Sequence, residues 1–145
     1  MEVIGTIFTG TNQYGDFNWM IRSGEYEDSL FIYNDNEMDH KRKSCGHGAG
    51  NAIIRKYNRH SKGKTYSAGI STGTGRGTGN GYNSLDECEN HIDDCIEEIQ
   101  NLINTGNYKR LFFSADEDGN LGTSIFVVSD DVIDYITKKI YLFSQ

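Results

Sequence analysis

Residues 84–106, SLDECENHIDDCIEEIQNLINTG, decide the fold. Leu85, Cys88, Ile92, Cys95, Ile96, Ile99, Leu102 and Ile103 recur at three-and-four spacing, which is the apolar stripe of an amphipathic helix. Ser84, followed three residues later by Glu87, reads as a capping box, and Gly106 as the stop. Asp86, Glu89, Asp93, Glu97 and Glu98 fall on the opposite, solvated face. Cys88 and Cys95 lie within the apolar stripe, where cysteine behaves as a small buried side chain.

Outward from this helix, TYSAGIS (65–71) precedes it and RLFFSA (110–115) follows it, both with strand composition. Further out, EVIGTIFT (2–9), LFIY (30–33, closed by the turn NDN at 34–36) and TSIFVV (123–128, after the turn DEDGN at 116–120) also read as strands. CGHGAGNAIIRKYN (45–58) passes from glycine-rich loop to helix, with Ala52, Ile53 and Ile54 as its apolar side. A last helix, capped by Ser129 or Asp130, carries Val132, Ile133, Ile136 and Ile140. The stretch from Tyr14 to Tyr26 is turn-rich but aromatic, so Phe17 and Trp19 are expected in the core. Residues 37–44 are simply polar. This order predicts an α+β (mixed α/β) fold, with one central mixed β-sheet packed with about three α-helices, and a single domain over residues 1–145.

A chain of 145 residues buries enough surface for one such domain. No apolar run approaches the roughly 20 residues that span a bilayer, and MEVIGTIFTG has no basic n-region of a secretory signal, so a cytoplasmic protein is expected. The formal net charge of −7 argues against a long nucleic acid as partner. The distribution is sharper than the sum. Residues 41–85 contain no Asp or Glu, yet hold nine of the fourteen Lys and Arg and ten of the seventeen Gly. A concentrated basic block in an acidic chain suits a small anionic ligand. The three cysteines include no C-x-x-C pair. His40, His47, His60 and His91 supply no closed ligand set at usual spacings, so neither a metal nor a cofactor is expected.

Two glycine-rich loops are the candidate site. In the first, Gly46, Gly48, Gly50 and Asn51 lead into the helix bearing Arg55. Successive backbone N–H groups there form a nest for a phosphate, and the Arg55 guanidinium forks onto it. In the second, Thr72, Gly73, Gly75 and Arg76 follow a strand and precede a helix, where α/β sheets gather ligand loops. Tyr82, at its end, supplies a ring that stacks on a base. The expected ligand-binding set is therefore Gly48, Gly50, Asn51, Arg55, Thr72, Gly73, Gly75, Arg76 and Tyr82. No nucleophile–base spacing is recognisable. Cys45 and His47, two residues apart on one loop, point different ways, so no catalytic residue is assigned.

The segments GHGAGNAIIRKYN (46–58), AGISTG (68–73) and DGNLGTSIFVV (118–128) resemble small phage and prophage proteins of the anti-Thoeris sponge family. The resemblance implies a non-enzymatic protein that binds and hides a cyclic ADP-ribose isomer made by bacterial TIR enzymes, glycocyclic ADP-ribose in particular. It also implies a homo-oligomer working in the cytoplasm of an infected or lysogenic host. The alternative is a macrodomain-like ADP-ribose-processing hydrolase, which shares the glycine loops but shows a longer βαβ pattern.

Overall fold

The computed structural model describes residues 1–42, 50–58, 63–75, 81–124 and 126–145. Four strands form one sheet: β1 (Glu2–Thr6), β2 (Ser29–Asp35), β3 (Ser67–Ser71) and β4 (Arg110–Ser114). Their order across the sheet is β1-β4-β2-β3, and every pairing is parallel. The helices are α1 (Phe17–Ser23), α2 (Glu37–Arg42), α3 (Glu89–Thr105) and α4 (Asp130–Leu142), with a 3-10 helix at Gly50–Tyr57. This is the expected α+β architecture, a central sheet with helices packed against it.

A parallel sheet covered on both faces needs strands that are apolar on both sides. LFIY and RLFF are such runs, and alternation sends their residues opposite ways. Leu30, Ile32, Ala68, Ile70, Leu111 and Phe113 pack with Ile92, Cys95 and Ile99 of α3 and Val132, Ile136 and Ile140 of α4. Phe31, Tyr33 and Phe112 pack on the other face with Phe17 and Met20 of α1 and Ile54 of the 3-10 helix. There the Phe31 and Phe112 rings stack at 5.0 Å and Phe17 lies 5.0 Å from Phe31. Aromatic pairs of this kind add about 0.5–1.5 kcal/mol each beyond burial.

Several local expectations need correction. The first strand ends at Thr6 rather than running to residue 9. The stretch after Tyr14 contains α1, whose N-cap Asp16 accepts from the Trp19 amide and whose C-cap is Gly24. The polar 37–44 segment contains α2. Ser84 makes no capping bond, and α3 begins at Glu89 after a 3-10 turn at Leu85–Glu87. Glu87 instead accepts from the Asn83 amide at 2.6 Å, and Asp131 at the start of α4 takes the Leu85 amide at 3.0 Å. The cap is thus supplied by a neighbouring helix. TSIFVV does not form a strand among its described residues: Ser124 has φ +56°, and Val127 is 73 % exposed. Of its described apolar side chains, Phe126 and Val127 are exposed and Val128 enters the core. No helix among the described residues is long and apolar enough to cross a membrane.

Candidate functional site

In parallel sheets, ligands bind outside the carboxyl ends of the strands, where the connecting loops collect. Register brings those ends level here: Thr6 lies opposite Ser114, and Asp35 opposite Ser71. The hydrophobic strands therefore terminate in a rim of hydroxyls and one carboxylate. All four side-chain-bearing residues are buried or half-buried. Thr6 Oγ1 is buried and has no hydrogen-bond partner among the described residues.

At the β2–β3 end, Asp35 is the hub. Its Oδ1 accepts from Arg55 Nε at 3.0 Å, from Arg55 Nη2 at 2.5 Å and from the Asn36 amide at 2.8 Å. Asp39 lies 3.7 Å from Arg55 Nη2, and the guanidinium carbon sits 5.6 Å from the Tyr33 ring centre. The loop after β3 is tied to the same place. Thr72 N–H donates to the Asp35 carbonyl at 3.0 Å, and the amides of Glu37 and Met38 donate to the carbonyls of Gly73 and Thr74. The first amides of α2 are thereby engaged. Asn36 Oδ1 takes the next one, from Asp39, at 2.9 Å. Gly75 rests on this cap with φ +82°, and a Cβ there would lie 2.3 Å from Asn36 Oδ1.

At the β4 end, Asn51 joins three segments. Its Oδ1 accepts from the Phe17 amide at 2.9 Å, and its Nδ2 donates to Ser114 Oγ at 3.0 Å and to the Gly15 carbonyl at 3.2 Å. The start of the 3-10 helix is thus fixed to α1 and to the rim.

The structure brings Gly50, Asn51, Arg55, Thr72, Gly73, Gly75 and Tyr82 to this one rim. Gly48 and Arg76, like Cys45 and His47, lie outside the described residues. Two expected roles change. Arg55 is 5 % exposed, and its fork is closed on Asp35. Tyr82 is 2 % exposed, packed among core residues with its hydroxyl donating to Glu37 at 2.7 Å, so its ring faces are not offered to a base. Hydrogen bonds from Lys41 and Tyr82 outweigh the effect of burial and hold the Glu37 carboxyl below its ordinary value.

A second constellation lies beside Ser71. His91 and Cys95 are one turn apart on α3, and His40 reaches them from α2. The Cys95 sulfur is 3.7 Å from Nε2 of both histidines, whose rings meet edge to face at 4.9 Å. His91 Nε2 also contacts Ser71 Oγ at 2.8 Å, and His40 Nε2 contacts Glu98 at 2.8 Å. Burial pushes the Cys95 thiol up, but the bonds to His40 and His91 outweigh it and bring it down to about 7. His40 is raised to about 10, first by Cys95 and then by Glu98. Sequence spacing hides this cluster because His40 and Cys95 are 55 residues apart. The available signal was His91-x-x-x-Cys95 on the strongest helix, since residues four apart share a face.

No family model matches the chain, and neither does any curated protein or solved structure.

Proposed function

We propose that this chain binds and sequesters a phosphate-bearing nucleotide of the cyclic ADP-ribose class at the carboxyl rim of its sheet. The observation that carries the reading is convergence. Within the acid-free, glycine-rich 41–85 segment, Arg55 and the loop Thr72–Thr74, well apart along the chain, meet at the carboxyl ends of β2 and β3, where parallel sheets bind ligands. The buried Thr6 hydroxyl at the β1–β4 end, without a partner among the described residues, supports a ligand on the same rim. The resemblance to anti-Thoeris sponges supplies the choice of nucleotide, with glycocyclic ADP-ribose as ligand. It also supplies the setting, a homo-oligomer in the bacterial cytoplasm that counters Thoeris defence. Arg55 holds Asp35 and so shapes the rim, and this proposal assigns the phosphate contact to Arg76.

Sequestration needs tight binding and slow release, and it needs no acid or base. Calorimetry of the full chain with glycocyclic ADP-ribose, and separately with linear ADP-ribose, tests the reading. Heat at micromolar protein is expected with the cyclic ligand, and intact ligand returns in stoichiometric yield after the protein is boiled. Absence of heat with both ligands overturns the proposal. Recovery of a cleaved product would identify the hydrolase instead.

A further inference from the structure

We propose that His40, His91 and Cys95 form a binding site for a single zinc-class divalent metal, with the Glu98 carboxylate closing the fourth position. The distances favour this reading. Zinc bonds of about 2.3 Å to sulfur and about 2.0–2.1 Å to nitrogen make the sulfur–nitrogen edge of a tetrahedron about 3.5 Å long. Both edges in this cluster are 3.7 Å. Mutual proximity also holds for the set as a whole, since the three donor atoms lie within 4.8 Å of one another.

The chemistry of the donors agrees. One thiolate and two imidazoles suit zinc and its neighbours, whereas magnesium and calcium take oxygen sets. Cys95 is fully buried and His40 largely so, while the Glu98 side chain is 46 % exposed. The cluster is therefore enclosed on the protein side and open at one carboxylate. That carboxylate already touches His40 Nε2, so a small side-chain rotation carries an oxygen onto a bound ion. Metal binding replaces the Ser71–His91 and Glu98–His40 hydrogen bonds and releases to solvent the one proton held between Cys95 and His40.

The consequence is positional. His91, Cys95 and Glu98 belong to α3, and His40 belongs to α2, whose first amides hold the loop after β3. A metal at this point staples α2 to α3 beside Ser71, one residue from Thr72 on the rim. This site is independent of the nucleotide reading.

The test uses the full chain stripped with EDTA and titrated with Co(II), followed by zinc competition. One equivalent of Co(II) is expected to give intense tetrahedral d–d bands and a thiolate-to-cobalt charge-transfer band, both bleached by zinc. Cys95→Ser abolishes the charge-transfer band, whereas Cys45→Ser and Cys88→Ser keep it. His40→Gln weakens binding by more than the ten- to hundred-fold typical of losing a residue that only supports a ligand. Zinc raises the melting temperature of the parent and not of Cys95→Ser. If Cys95→Ser does not fold, the loss of tetrahedral intensity in His40→Gln carries the same information. A parent chain that shows no cobalt bands and retains no zinc on dialysis overturns the proposal. So does a charge-transfer band that survives Cys95→Ser.

Discussion

Arg55 directs both Nε and Nη2 at a single oxygen of Asp35, at 3.0 and 2.5 Å, and both residues are about 95 % buried. Removing one partner of a buried pair strands the other charge, at a cost of about 3–5 kcal/mol. Arg55→Ala is therefore expected to lower the urea-unfolding free energy by that amount. Adding Asp35→Asn should recover part of it, because a neutral amide costs less to bury than a carboxylate. A fully stable Arg55→Ala chain would show that the pair does not hold the rim.

Tyr82 and Glu37 give a pH-dependent test. The folded Glu37 carboxyl lies below its ordinary 4.5, so its charged form contributes stability above 4.5 that is lost as pH falls through the lower folded value. Tyr82→Phe deletes one of the bonds responsible. The expected cost at neutral pH is about 1.5–3 kcal/mol, the range of hydrogen bonds to charged groups, with the gap from the parent narrowing below pH 4.5. Urea unfolding across this range reads both effects.

Asn51→Ala leaves the Phe17 amide and the Gly15 carbonyl without their partner, and each is buried or half-buried. Stranded polar groups cost about 1–3 kcal/mol. Asn51→Asp should not rescue stability, because a carboxylate accepts from Phe17 but cannot donate to Gly15 or Ser114. Hydrogen exchange should localise the loss to α1 and the 3-10 helix.

Gly75 has φ +82°, a conformation that costs a residue with a Cβ about 1–2 kcal/mol. Gly75→Ala adds a clash with Asn36 Oδ1, which caps α2 through the Asp39 amide. The prediction is a destabilised chain whose amide protection falls first in α2. Gly24→Ala, at φ +77°, has a similar backbone penalty but no atom within 4 Å of its Cβ, so it should lose the smaller amount.

What the sequence revealed follows from where the information resides. The sheet and α3 were legible because LFIY, RLFF and the Leu85–Ile103 stripe each state their burial locally. Helix α1 was not, since its start depends on the Asp16 cap and on Asn51, a residue 34 positions away that takes the Phe17 amide. TSIFVV misled for the opposite reason: its composition is that of a strand, but β4 already has neighbours on both sides. At the site, glycine content and the missing acids pointed to segments of which Arg55, Thr72 and Gly73 lie at the β2–β3 end. They could not reveal that Arg55 would meet Asp35, because an acid outside the 41–85 block answers a cation inside it.

Strand order has a further consequence for how the chain emerges during synthesis. Among the four described strands β1 comes first in the chain, yet its partner is β4, the last of them, while β2 can pair early with β3 and then waits for β4 on its other side. A nascent chain stopped before Arg110 therefore carries an orphaned N-terminal strand and an open edge on β2. Both are surfaces on which chains aggregate. Emergence of β4 supplies the missing neighbour of β1 and of β2 at once.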